Sequence, residues 1–216
     1  HGEGRTDADT TTDSSTTSTD TLTDSSTTDT LTTDSSTTDS STSSLPTSIT
    51  TEKSGIINSD QTWSGNILVT GSVKVTNGAT LTISAGTQIA VQSGGDYKIW
   101  IDSTGFLVAN TNNNDISISS DGSGTDDWKG IELTDNTSSN SSSGSSLKGV
   151  TISNATYGVN VEGQGILIDD CVFENNGKSI YLTDTDSVKI TNSTFKDTNG
   201  CIDTPYEVSG YGPHNN

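Results

Sequence analysis

The chain has 216 residues and a formal net charge of −19, with 28 acidic residues against nine lysines and arginines. An excess of that size repels phosphate backbones and anionic lipid headgroups, so nucleic acid and membrane surfaces are excluded as natural partners. No run approaches the roughly 20 consecutive apolar residues of a spanning helix, so no membrane-spanning segment is expected.

Residues 1–51 consist mainly of Thr, Ser and Asp, with Leu22, Leu31, Leu45 and Ile49 as their only large aliphatics. Nine acids stand there against Arg5. So few apolar groups cannot offset the entropy of ordering the backbone, and this segment is expected to be a disordered, acidic stalk or linker. A loose repeat beginning at Asp13, Asp24 and Asp34, each time followed by Ser-Ser-Thr-Thr, fits an extended, solvated chain open to O-glycosylation.

The character changes near Lys53. Val73 and Val75, Leu81 and Ile83, Ile89 and Val91 alternate with period two and recur every eight residues, with Asn77-Gly78 and Ala85-Gly86 as turns between them. Ile99 and Ile101, Leu107, Ile116 and Ile118 repeat the triplet. Ile131 and Leu133 open a third circuit, which Leu147, Val150 and Ile152 close. Extra length falls in loops at 119–127 and 134–146.

From Leu147 onward the pattern tightens into a repeat. Leu147, Val150, Ile152, Val159 and Val161 recur 21 residues later as Ile168, Cys171, Phe173, Ile180 and Leu182. A further 22 residues on stand Ile190, Ser193, Phe195, Ile202 and Thr204. A polar corner at Asn154, Asn175 and Asp197 keeps the same step. Units of this period cannot bury their own apolar faces and must stack. Three short strands per circuit, with no helical period, describe a three-sided coil of parallel strands whose first-side core column is Val73, Ile99, Ile131, Val159, Ile180 and Ile202. About six rungs follow, each about 4.8 Å from the next. Lys148 should stand over Asp169, and Glu174 over Lys196. Cys171 points inward on its strand and Cys201 outward, which predicts two free thiols.

Trp63 ahead of Val69-Thr-Gly-Ser-Val-Lys-Val, and then Gly78-Ala-Thr-Leu-Thr-Ile-Ser-Ala-Gly-Thr, resemble the opening rung of right-handed parallel β-helix proteins of the pectin-lyase-like class. Gly105-Phe-Leu-Val-Ala and Asp127-Trp-Lys-Gly-Ile-Glu-Leu resemble it too, and the 147–204 repeats are similar to that class's generic repeat. The resemblance implies an all-β fold, a right-handed three-sided parallel β-helix, over residues 52–208, with 209–216 as a C-terminal tail. It implies no single function, because such repeats occur in lyases, hydrolases, epimerases and adhesins.

Lyases of the class hold Ca²⁺ on acidic residues and use an arginine or lysine as base. The only arginine here is Arg5, and Lys178 is the best-placed lysine. The hydrolases use three aspartates with basic partners. Asp169-Asp170 matches the paired aspartates only superficially, since the two histidines are His1 and His214 at the chain ends. Adjacent residues on a strand point opposite ways, poor geometry for two carboxylates flanking a sugar. No catalytic residue is therefore assigned, and a polysaccharide lyase or epimerase is the rival reading. For a metal, Asp121, Ser123, Thr125 and Asp127 alternate oxygen side chains as Ca²⁺ loops do, with Asp184 and Asp186 a weaker candidate. An ordinary acidic loop is the competing reading.

The outward positions of the first side read Lys74, Trp100, Glu132, Asn160, Tyr181 and Asp203. Two exposed aromatics with amide and acid groups between them would serve a glycan or a surface protein; the favoured competing reading is that the loops at 102–106 and 134–146 cover both rings. Sequons open at Asn136, Asn140, Asn154 and Asn192, of which Asn154 is expected to be a structural corner. These features together predict a non-catalytic extracellular or cell-surface protein, lipid-anchored if a lipobox cysteine precedes His1. End-to-end association, or membership of a larger β-helical assembly, is the further expectation from open rung ends.

Overall fold

The computed structural model describes residues 48–49, 51–134, 144–183, 185, 187–197 and 200–203. The chain divides into two units, His1–Ser40 and Ser41–Asn216, and every described residue lies in the second. The expected stalk lies outside the described residues except for Ser48, Ile49 and Thr51, and the tail at 209–216 lies wholly outside them. No helix among the described residues is long and apolar enough to cross a membrane.

Strands follow one another without helices: β1 (Thr51–Ile57), β2 (Gln61–Trp63), β3 (Asn66–Val75), β4 (Thr80–Ile83), β5 (Gln88–Val91), β6 (Lys98–Ile101), β7 (Phe106–Asn110), β8 (Ile116–Ser120) and β9 (Gly130–Thr134). They continue as β10 (Ser146–Lys148), β11 (Val150–Ser153), β12 (Tyr157–Glu162), β13 (Ile166–Asp169), β14 (Val172–Glu174), β15 (Lys178–Thr183), β16 (Val188–Thr191), β17 (Thr194–Phe195) and β18 (Ile202–Asp203). Each strand pairs in parallel with the strands one circuit before and after it. The second side is a six-stranded sheet in the order β16-β13-β10-β7-β4-β2. The first and third sides form one twelve-stranded sheet, because β3 bends and pairs β6 with one half and β5 with the other. β1 bends with it, through a register shift between Lys53 and Gly55. The fold is thus the expected three-sided parallel β-helix.

The expected first-side column holds residue for residue. Val73 pairs with Ile99, Ile99 with Ile131, Ile131 with Val159, Val159 with Ile180, and Ile180 with Ile202. On the third side Ile152 lies beside Phe173, and Phe173 beside Phe195, the two rings stacked with centroids 5.3 Å apart. On the second side Leu147, Ile168 and Ile190 align, continuing back through Ala109, Ile83 and Trp63. These inward residues make one continuous core. Glu174 and Lys196 pair at 3.0 Å, and Lys148 stands in register with Asp169.

β1 and β2 were not expected as strands. β1 reads Thr-Glu-Lys-Ser-Gly-Ile-Ile and is exposed along most of its length. As the outermost rung it covers the core on one side only, so it carries no apolar alternation to be read.

The corners have their own chemistry. Between the second and third sides the chain turns at Gly65, Gly86, Asn114, Gly149, Asp170 and Asn192, all left-handed with φ between 52° and 78°. Gly, Asn and Asp are the residues that accept this conformation at low cost. At Gly149 space matters as well, since a Cβ there would lie 2.7 Å from the Thr111 carbonyl. Between the third and first sides Asn154 and Asn175 turn at φ 62° and 55°, and Asn175 Nδ2 donates to Asn154 Oδ1 at 2.6 Å. Asp197 does not extend this ladder as the repeat predicted. Its Oδ1 accepts the Asn176 N–H at 2.8 Å, just as Asn176 Oδ1 accepts the Ala155 N–H at 3.1 Å. Asp197 keeps the step of the repeat from Asn175, but its carboxylate plays toward the Asn176 N–H the part that Asn176 Oδ1 plays toward Ala155 one rung earlier.

The two thiols are free, Cys171 buried and Cys201 half-buried. Burial pushes the Cys171 thiol up to about 11. Native protein at neutral pH should therefore react with a maleimide once quickly, at Cys201, and a second time only on unfolding; two fast reactions would contradict the inward placement of Cys171. Phe173→Ala should lower stability by about 3–5 kcal/mol in urea unfolding, whereas exposed Leu167→Ala should cost under about 0.5 kcal/mol. Equal, small effects would show that the stacked aromatic column is not the core.

Candidate functional site

The outward column of the first side is the candidate site. Strand register places Ile56, Lys74, Trp100, Glu132, Asn160, Tyr181 and Asp203 in line, one per rung. They point outward because each alternates with a buried core residue on its strand. The Asp203 side chain lies outside the described residues.

Both aromatics are half-buried, which fits the expectation of covered rings better than that of free ones. The Lys74 ammonium lies 4.1 Å from the centre of the Trp100 ring, and that of Lys98 lies 4.9 Å away. The indole N–H donates to Thr134 Oγ1 at 2.5 Å, which ties the ring to the next rung. Tyr181 stacks on Tyr157 with centroids 5.1 Å apart, and Lys178 stands 5.8 Å from the Tyr181 ring. Sequence periodicity missed the Tyr157–Tyr181 pair because Tyr157 aligns with Lys178, not with Tyr181. The rings meet across a diagonal, a neighbour relation that long side chains can span.

Three lysines on or beside this face pair with carboxylates. Lys74 pairs with Asp102 at 3.3 Å, Lys98 with Glu132 at 2.7 Å, and Lys129 with Asp96 at 3.0 Å. Asp102 also accepts from Thr76 Oγ1 at 2.5 Å, Thr104 N–H at 3.0 Å and Thr104 Oγ1 at 2.9 Å. Partial burial alone would raise its pKa; the bonds from Thr76, Thr104 and Lys74 outweigh that and hold the carboxyl below its ordinary value. In the middle of the column Asn160 Oδ1 is buried and has no hydrogen-bond partner among the described residues.

The residues of the candidate cation loop hold one another and the backbone. Asp121 Oδ1 accepts the Ser93 N–H at 2.6 Å. Asp127 Oδ2 accepts the Gly124 N–H at 2.7 Å and the Ser120 hydroxyl at 3.1 Å. The Gly122 carbonyl accepts from Asn154 Nδ2, the Ser123 carbonyl from Asn175 Nδ2, and the Thr125 carbonyl from the Gly177 N–H. Loop 121–127 is thereby folded around Asp127 and fastened to the asparagine corner. Among the described residues no three His, Cys, Asp or Glu side chains form a metal-sized group. Asp184 and Asp186 lie outside the described residues.

Asp169 and Asp170 separate as expected. Asp169 accepts from Thr191 Oγ1 and Asn192 Nδ2, both at 2.8 Å, and these bonds hold its carboxyl below the usual range. Asp170 is a left-handed corner. Asn154 is buried and bonded to Ser119 Oγ, a structural corner as expected. The sequons at Asn136 and Asn140 lie outside the described residues.

A family model described as a right-handed beta helix region matches residues 138–207, the stretch that holds the tight repeats. Together with the strand topology, this makes the chain a parallel β-helix repeat protein. No curated protein and no solved structure matches the chain.

The Asp102 network makes a pH prediction. A lowered folded pKa means that the fold favours the carboxylate. Its stabilisation is therefore present above the unfolded value of about 3.9 and lost as pH falls through the folded value. Wild type should thus exceed Asp102→Asn in melting temperature at neutral pH, with the gap closing under acid. A gap that widens on acidification would reverse the assignment.

Proposed function

We propose that this is a non-catalytic extracellular or cell-surface protein that holds a glycan along the outward column of its first side. The observation that carries the reading is the register itself. Trp100 and Tyr181 stand in one column three rungs apart, with Glu132 and Asn160 between them. That spacing is about 14 Å, close to the length of three linked sugars. Aromatic bodies at the two ends and hydrogen-bonding groups in the middle match the alternating C–H faces and hydroxyl edges of a pyranose chain.

Three features support a binding role over the lyase or epimerase reading. Lys74, Lys98 and Lys129 each donate to a carboxylate. An ammonium so held serves as a structural cation rather than a proton acceptor. The Asp169-Asp170 pair is occupied by a strand-end cap and a corner. The chain has no arginine after Arg5 and no histidine between His1 and His214, so a basic partner for clustered acids would have to be a lysine. An acidic Thr/Ser/Asp-rich N-terminal segment suits a protein carried away from a cell surface.

Trp100→Ala and Tyr181→Ala should each weaken binding on a glycan array about tenfold, equivalent to about 1.4 kcal/mol, in protein whose circular dichroism shows the β-helix intact. Leu167→Ala on the second side should leave binding intact. Unaltered binding in both aromatic variants would remove the first side as the site.

A further inference from the structure

Resting on that glycan-binding reading, we infer that the ligand is an uncharged oligosaccharide, gripped at its middle by a hydroxyl donated to Asn160 Oδ1, and that acidic polysaccharides are discriminated against.

The first argument is the state of the cations. A site for a uronate or sulfate needs a guanidinium or ammonium that is free to meet it. Here the ammonium nearest the column's centre, Lys98, is bonded to Glu132 of the same column at 2.7 Å. Lys74 is held by Asp102 at 3.3 Å and Lys129 by Asp96 at 3.0 Å. Recruiting any of them would strip a carboxylate of its partner directly beside the incoming anion. Lys74, Lys98 and Lys129 therefore neutralise the acids at the Trp100 end of this side, and Lys178 stands at the other end, against the Tyr181 ring.

The second argument is the group left over. Among the described residues no donor reaches the buried Asn160 Oδ1, on a residue that is itself half-buried. A buried acceptor left unpaired is destabilising, and a donor that reaches it recovers the loss. Asn160 lies between Glu132 and Tyr181 in register. The carboxylate on one side is another acceptor, so the local deficit is of donors. Sugar hydroxyls supply donors; carboxylates and sulfates do not. The terminal torsion of an asparagine is soft, so a modest rotation of the amide turns Oδ1 toward the surface as the hydroxyl arrives.

The third argument is long-ranged. The net charge of −19 sets up a field that repels a polyanion before contact and leaves a neutral chain unaffected.

The test uses the full chain and calorimetry with two ligand sets: neutral oligosaccharides (β-glucan, xylan and mannan fragments) and oligogalacturonates of matched length. Neutral fragments are expected to bind at least about tenfold more tightly than the uronates, with an affinity nearly independent of salt up to about 0.5 M. Asn160→Leu should lower that affinity about tenfold, while Ser117→Ala on the third side does nothing. Tighter, salt-sensitive binding of oligogalacturonates that Trp100→Ala abolishes would overturn the neutral class and leave the first-side site standing. Full affinity in Asn160→Leu would overturn the role given to Oδ1. Failure of both ligand sets to bind would overturn the glycan reading, and this inference with it.

Discussion

The constraint on which this molecule rests is rung-to-rung burial. No rung covers its own inward side chains, so every Ile, Val, Leu or Phe of the core depends on the rung before it and the rung after it. Parallel strands hold the rungs together, and the side-chain period of two makes the pairing strict: a slip of one residue would turn an entire side inside out. The aligned run from Val73 to Ile202 is the product of that strictness. So are the Phe173–Phe195 stack and the burial of Trp63 and Trp128, whose indole N–H groups still find Gln61 Oε1 and the Ser153 carbonyl.

Corners complete the constraint. A coil with flat sides must turn sharply three times per circuit, and the turn between the second and third sides is left-handed in every circuit described. The chain meets this with Gly, Asn or Asp at each position. Once the corners are secured, length can be added outside them without disturbing the core. Loop 121–127 is such an addition, tied back by Asn154 and Asn175. Acids that resemble a cation loop in sequence are here the acceptors that shape a backbone turn.

The first side shows how an acidic protein can carry an ordered polar face. Its lysines are spent locally: Lys74 on Asp102 and the Trp100 ring, Lys98 on Glu132 and the same ring. Cations over an aromatic face and beside a carboxylate are stabilised twice, which fixes the outward side chains in place. The face that results is ordered and nearly neutral, and Asn160 carries its unfilled hydrogen-bond acceptor.

Much of this was legible in the residues alone. Alternation along a strand dictates which side chains turn inward, and a repeat of 21 or 22 residues dictates which rungs they meet. The core columns, the inward Cys171, the Glu174–Lys196 pair and the split of Asp169 from Asp170 all follow from those two rules. β1 was hidden because an outermost rung is buried on one side only and has no pattern to read. Asp197 keeps the repeat's step, but a step does not say which backbone N–H a corner side chain will meet, here that of Asn176. What the outward residues touch was decided by the tertiary structure: the lysines over Trp100, the diagonal Tyr157–Tyr181 stack, the fastening of the acidic loop and the orphaned Asn160 oxygen. Direction is a property of one strand, whereas contact depends on rotamers and on partners brought from rungs 20 to 35 residues away.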